Sequence, residues 1–235
     1  MKRDYFISIA MATYNGEKYI KEQIDSILKQ INKNDEIIIS DDGSTDKTIE
    51  IIKKYKDKRI KIINGPQKGV KQNFANSISN CHGKYIFLAD QDDIWMPNKV
   101  ESVLKVFEEK KCMCIVHDCF VFNSENKEQI YDSFFKFRKS GAGIFKNILK
   151  NTYIGCCMAI DGRLKKYILP IPNSIEMHDQ WIGIIGEKKG KSIFIKDKLL
   201  QYRRHSNNVT SMKHQSIIKM LKNRLVLIWR LINAN

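Results

Sequence analysis

Asp90-Gln91-Asp92-Asp93 follows the apolar run Tyr85-Ile86-Phe87-Leu88-Ala89 and precedes Ile94-Trp95. Three carboxylates at the end of a buried strand repel one another and are costly to desolvate. A divalent cation relieves that cost, because hard oxygen ligands suit Mg²⁺ or Mn²⁺. Such a cation typically keeps one or two carboxylates and completes its shell with substrate phosphates. The run therefore points to a metal-bound diphosphate at the carboxyl edge of a parallel sheet. Taken alone, a solvated acidic turn explains it better, since such triplets are common. The rest of the chain has to decide.

Three further groups carry polar chemistry. Asp41-Asp42 ends the apolar run Ile37-Ile38-Ile39. Paired acids there can accept hydrogen bonds from a nucleobase imide or a ribose hydroxyl, or they can simply close the turn Asp41-Asp42-Gly43-Ser44-Thr45-Asp46. Asp179 opens a helical segment, so it is either an ordinary residue of a helix start or a general base. Trp181 close by could wall an acceptor pocket. His205 lies in the basic stretch Tyr202-Arg203-Arg204-His205-Ser206-Asn207-Asn208. There the imidazole could complete a metal site and the two arginines could hold phosphate oxygens, or the histidine could be a plain surface residue. The chain has no G-x-G-x-x-G, P-loop or G-x-S-x-G motif, which argues against a nicotinamide dehydrogenase, a P-loop ATPase and an α/β-hydrolase.

The elements that must position these groups alternate. Strands are expected at Tyr5–Met11, Glu36–Ser40, Ile60–Ile63 and Tyr85–Ala89. Helices are expected at 17–30, 47–55, 72–80 and 98–110, the last opened by Pro97. This β-α repeat argues for a mostly parallel sheet flanked by helices, with the polar turns gathered at strand ends. The second half is less regular. Strands are expected at Cys114–Phe122, Gly155–Ile160, Ser192–Ile195 and Leu199–Arg203, a helix at Trp181–Glu187, and a mobile loop over the site at Asn123–Phe137.

At 235 residues, with 43% hydrophobic and 29% charged residues, the chain fits one large α/β domain. The boundary falls near residue 212, giving a domain at 1–212 and a basic helix at 213–235. The net charge of +15 implies an anionic partner. No acidic residue follows Asp197, whereas eight lysines and arginines do. The six cysteines show no zinc spacing and read as small buried hydrophobes in a reducing compartment. Residues 2–12 faintly imitate a signal peptide, but Asp4 interrupts them and they run into the polar turn, so a first strand is expected. No apolar run approaches the ~20 residues of a membrane span.

Three segments in order resemble the family-2 glycosyltransferases of the GT-A fold. They are Ile7-Ser8-Ile9-Ala10-Met11-Ala12-Thr13-Tyr14-Asn15-Gly16, Ile38-Ile39-Ser40-Asp41-Asp42-Gly43-Ser44-Thr45-Asp46 and Ala89-Asp90-Gln91-Asp92-Asp93-Ile94-Trp95. The resemblance covers about residues 5–210. It implies inverting, metal-assisted transfer of a sugar from a nucleotide diphosphate to a hydroxyl. Ala12, Tyr14 and Glu17 would then line the nucleoside pocket. Asp42 would bond the base with Asp41 in support, and Asn73 and Gln91 would lie near the donor. Asp90 and Asp92 match the D-x-D acids, the first towards ribose and sugar, the second on Mg²⁺ or Mn²⁺ with His205. Asp179 matches the catalytic base, although His178 stands where many members carry a second acid. The D-Q-D-D-x-W and R-R-H-S-N-N stretches resemble bacterial cell-surface rhamnosyl- and galactosyltransferases. A dTDP-rhamnose or UDP-hexose donor and a lipid-linked or polysaccharide acceptor are the expected partners, with no nucleic acid.

The tail from Gln215 to Ile232 reads as an amphipathic helix. Ile217, Leu221, Leu225, Ile228 and Ile232 share a face, Lys219, Lys222 and Arg230 lie largely opposite, and Arg224 intrudes on the apolar side. Such a helix can lie on anionic lipid, pack on its own domain or join two copies. The lipid reading places the protein in the cytoplasm, peripheral on the inner face of the membrane. Two competing functions remain: a sugar-phosphate nucleotidyltransferase, which would need a glycine-rich turn after strand one, and a non-catalytic basic scaffold.

Overall fold

The computed structural model describes residues 3–205 and 216–234, with the Ile217 side chain excepted. The first half is a strict alternation: β1 (Ile7–Thr13), α1 (Ile20–Leu28), β2 (Glu36–Asp41), α2 (Thr48–Lys53), β3 (Ile60–Asn64), α3 (Val70–Ser79) and β4 (Tyr85–Asp90). The second half follows as β5 (Ile94–Trp95), α4 (Lys99–Glu109), β6 (Cys114–Asn123), β7 (Gln129–Tyr131), α5 (Phe134–Arg138), α6 (Ile144–Leu149), β8 (Met158–Asp161), α7 (Lys165–Ile168), α8 (His178–Lys189), β9 (Ser192–Arg204) and α9 (Ile217–Ile232).

One sheet runs β3-β2-β1-β4-β8-β6-β9-β5, with β7 paired to β6. The β3-β2-β1-β4 half is parallel. β8 joins β4 and β6 antiparallel, and β6 and β9 are parallel again. β1, β2 and most of β4 are buried along their whole length, which explains their unbroken apolar sequence. Helical spacing buries Ile20, Ile24 and Ile27 of α1, and Val100, Val103, Leu104 and Phe107 of α4. The chain builds outward from β1 through β2 to β3, then returns to β4 on the other side of β1. That reversal opens a crevice at the carboxyl ends of β1 and β4. Register places Ala12 beside Asp90 and Thr13 beside Asp41. The six cysteines are all buried and free.

The second half departs from the sequence expectation at three places. The strand expected at Gly155–Ile160 opens as a 3-10 turn over Gly155–Cys157 and runs as β8 over Met158–Asp161. Residues 123–137 form β7 and α5 rather than a loop, because Asp118 of β6 anchors them. Its carboxylate accepts from Ser133 Oγ and from the Phe135 backbone N–H, the latter at 2.9 Å. The two strands expected at 192–195 and 199–203 are one, β9, which absorbs the intervening residues by register shifts against β6 near Asp118. The expected 212/213 boundary lies outside the described residues. α9 packs on α6, and Lys188 of α8 donates to the Leu231 and Ala234 carbonyls.

Asp118→Ala removes the shared acceptor for α5. The expected loss is about 1.5–3 kcal/mol of unfolding free energy, with earlier proteolytic cleavage within 124–138. Unchanged cleavage there would show that the anchor is not what orders the segment.

Candidate active site

The crevice is a cleft of about 1660 Å³. Ala12, Tyr14, Glu17, Asp42, Asn73, Asp90, Gln91, Asp92, Asp179, Arg204 and His205 all line it, so residues spread over nearly 200 positions meet at one sheet edge.

The strand-end turns are cross-braced. Gln91 accepts from the Tyr14 N–H and donates to the Tyr14 carbonyl, both at 2.9 Å, tying the turn after β1 to the turn after β4. A Cβ on Gly16 would meet the Gln91 side chain at 2.4 Å, so this brace needs a glycine there. Asn73 donates to the Thr13 and Ser40 carbonyls and joins the ends of β1 and β2. The Asp42 carboxylate accepts from the N–H groups of Gln67 and Gly69 at 2.7 and 2.8 Å, pinning the loop before α3. Glu17 and Asp46 brace each other's turns through the Lys47 and Glu17 N–H groups.

Three expected residues lie elsewhere. Asp41 is below the cleft, accepting from Thr13 Oγ1 and from the Gly43 and Ser44 N–H groups, in a turn where Gly43 sits at φ +94°. Trp181 is 3% exposed and donates Nε1 to the Ile168 carbonyl at 2.9 Å. It is a core residue, not an acceptor wall, because the α8 turn that points Asp179 into the cleft points Trp181 away from it. Arg203 is 1% exposed and does not reach the cleft. Its Nε donates to the Asp92 carbonyl at 2.6 Å, its backbone N–H to Asp93 Oδ1 at 2.9 Å, and its guanidinium pairs with Glu22. Alternation along β9 sends neighbours to opposite sides, so Arg204 and not Arg203 lines the cleft.

The acids fall into two groups. Asp92 faces the cleft, and His205 Nε2 lies 2.7 Å from its Oδ2. The His205 ring stacks on Tyr19 at 4.8 Å. Asp93 is fully buried, and its Oδ2 has no partner among the described residues. Desolvation, followed by the charges of Asp92 and Asp90, holds the Asp93 carboxyl well above the usual carboxylate range. Burial raises Asp90 as well, with the charges of Asp92 and Asp179 adding to it. The nearby cation is Lys99, fully buried over the Trp95 ring at 4.0 Å and donating to the Cys156 carbonyl at 2.8 Å. Asp90, Asp93 and Cys156 could together ligate an ion, since their ligand atoms lie within 4.8 Å of one another. Two of those three are sealed from the cleft, however, whereas Asp92 and His205 line it and can share an ion with a phosphate. Asp92 and His205 adjoin each other in the cleft with Asp90 also lining it, but among the described residues only Asp90, Asp93 and Cys156 bring three ligand atoms within 4.8 Å of one another.

Asp179 sits in the first turn of α8 and is 7% exposed. Burial pushes its carboxyl up to about 6, partly opposed by the hydrogen bond from Asn151 Nδ2 at 3.0 Å. His178 beside it stacks on Phe74 at 4.2 Å, and burial holds its imidazole neutral, down to about 3. A Cβ on Gly155 would meet His178 Nε2 at 2.8 Å.

Sequence reasoning missed Lys99, Asn151 and Arg138. Lys99 had a signal, since it shares the face of Val103 and Phe107 in an otherwise apolar stripe. Asn151 and Arg138 had none, because their partners are distant in sequence. The remaining wall is largely apolar and basic, with Phe134, Phe137, Leu149 and Leu227 beside Arg138, Lys150 and Arg224, and Glu176 is its acidic member.

The sequence pattern of Glycosyl transferase family 2 matches residues 8–167. The chain belongs to this family. The match includes the Asp41-Asp42 and Asp90–Asp93 turns and ends ahead of Asp179 and His205. Among similar proteins, the UDP-Glc:alpha-D-GlcNAc-diphosphoundecaprenol beta-1,3-glucosyltransferase WfgD of Escherichia coli is 27% identical over 98% of this chain and 92% of its own. The dTDP-rhamnosyl transferase RfbG of Shigella flexneri is 29% identical over 84% of this chain and 72% of its own. The structure of S. aureus TarS 1–349 in complex with UDP-GlcNAc superposes with a TM-score of 0.77 at 19% identity, covering 98% of this chain and 67% of that one. The expected GT-A fold of this glycosyltransferase is therefore present.

Asn151→Ala removes a hydrogen bond that favours the charged form of Asp179. The Asp179 titration midpoint, followed by carboxyl NMR or infrared difference spectra, is expected to rise above about 6. A midpoint that stays or falls would show that Asn151 does not hold the carboxylate.

Proposed function

We propose that this glycosyltransferase moves a sugar from a UDP- or dTDP-linked donor to a hydroxyl of a lipid-linked or polysaccharide acceptor, with inversion. The observation that carries this is a single cleft in which Asp42, Asp90 and Asp92 face a buried carboxylate of raised basicity, Asp179. The braced turns around Tyr14, Glu17 and Asp42 form a preorganised seat for a nucleoside. Asp90, Asp92 and His205 would hold Mg²⁺ or Mn²⁺, which when bound would neutralise charge on the departing diphosphate. Arg204 adds positive charge beside it.

The step balances with this chain's own groups. The acceptor hydroxyl oxygen bonds to the anomeric carbon, the bond from that carbon to the diphosphate oxygen breaks, and Asp179 takes the hydroxyl proton. One displacement inverts the centre, so no covalent nucleophile is needed. At neutral pH Asp179 is mostly ionised, yet its burial makes it a stronger base than an exposed aspartate. The apolar and basic wall suits an acceptor carrying a lipid and phosphate, the type named for WfgD.

Asp179→Asn is expected to lower turnover about 10²–10⁴-fold while leaving calorimetric binding of UDP or dTDP with Mn²⁺ intact. Asp92→Ala is expected to abolish the metal-dependent part of that binding. Wild-type kcat should fall as pH drops through about 6, because a protonated Asp179 cannot accept the proton. Near-normal turnover in Asp179→Asn would overturn the base assignment.

A further inference from the structure

The C-terminal helix is expected to lie on lipid, pack on its own domain or join two copies, and α9 has two apolar faces, one against the domain and one outside it. Leu227 and Leu231 are buried against the domain, and Met220, Asn223 and Arg224 border the cleft. The outer face keeps Ile218, Leu221, Leu225, Ile228, Trp229 and Ile232 between 38% and 80% exposed. The neighbouring α6 continues this ridge with Phe145 at 84% and Leu149 at 62% exposure. So many large apolar side chains on one face of a monomer mark a contact surface.

We infer that the α6–α9 ridge seats the enzyme on an anionic lipid leaflet, with the apolar and basic end of the cleft facing that surface. Charge selects the occupant. Neither α6 nor α9 carries an acidic residue, and Lys146, Lys150, Lys219 and Lys222 are exposed around the ridge. Basic residues near an anionic surface are attracted to it, and the apolar side chains reach the acyl boundary. A second copy would oppose like charges across the same face, in chains of net charge +15. The α9 residues that line the cleft and those that form the ridge are on one rigid helix. Docking therefore sets the cleft mouth at the bilayer, where a lipid-linked hydroxyl is held. The surface proposal stands independently of the transfer reaction.

The test uses the full chain with phosphatidylcholine vesicles, with and without phosphatidylglycerol. Trp95 and Trp181 are 3% exposed and Trp229 is 56% exposed, so a vesicle-induced blue shift reports the ridge. The expected result is co-sedimentation and a blue shift with anionic vesicles, weakened by salt. The triple variant Phe145→Gln, Leu225→Gln, Ile232→Gln, outside the cleft, should bind vesicles about tenfold or more weakly and retain nucleotide binding by calorimetry. Equal vesicle binding by the variant, absence of the blue shift, or dimerisation in place of vesicle binding would overturn the proposal. Vesicle binding without any UDP or dTDP binding would instead leave the ridge standing and count against the donor reading.

Discussion

Arg203 holds the catalytic edge together from behind. Its guanidinium lies between the Tyr19 and Phe122 rings, at 4.8 and 4.9 Å, and grips the Asp92 carbonyl and Glu22. The same residue's backbone N–H binds Asp93. The short β5 pairs with β9 just before this point, through Ile94 with Gln201 and Trp95 with Leu200. The acid turn and the end of β9 therefore form one unit, although about 110 residues separate them. Without that unit, Asp92 and His205 would not share a wall of the cleft. A buried guanidinium is expensive unless every donor has a partner, and that requirement fixes the register of the turn.

Electrostatic balance at this edge is uneven by design of the fold. Burial raises both Asp90 and Asp93, the charge of Asp92 adds to each, Asp90 raises Asp93 further, and Lys99 works in the opposite direction on Asp90. On the cleft side there is no equivalent buried lysine among the described lining residues. Positive charge there comes from Lys18, Arg138, Lys150, Arg204 and Arg224. The acids are thus left with unfavourable mutual repulsion that a cation and a diphosphate can offset together. Asp179 shares this field, since its charge also raises Asp90. Loss of the leaving group and the proton transfer would act on one connected set of charges.

Much of the parallel half was legible because its chemistry is local. Buried parallel strands demand unbroken apolar runs, and the turns that follow them carry the polar residues, so Asp42, Asp90 and Asp92 could be placed at a sheet edge by counting. Trp181 and Arg203 were misjudged for a shared reason. Proximity in sequence to Asp179 and Arg204 does not say which side of a helix or strand a residue faces. Residues 123–137 looked like a loop because their polarity is real, but one buried carboxylate on Asp118 supplies the order that composition hides.

The sequence by itself determined the alternating fold, the acid turns and the basic amphipathic tail, because each rests on contacts within a few positions or on simple periodicity. The tertiary structure alone decided which acids see solvent, that Asn151 sets the environment of Asp179, and that α9 buries Leu227 and Leu231 while leaving a second apolar face outside. Those outcomes depend on burial and on partners drawn from distant strands, and neither desolvation nor long-range register is written in local spacing.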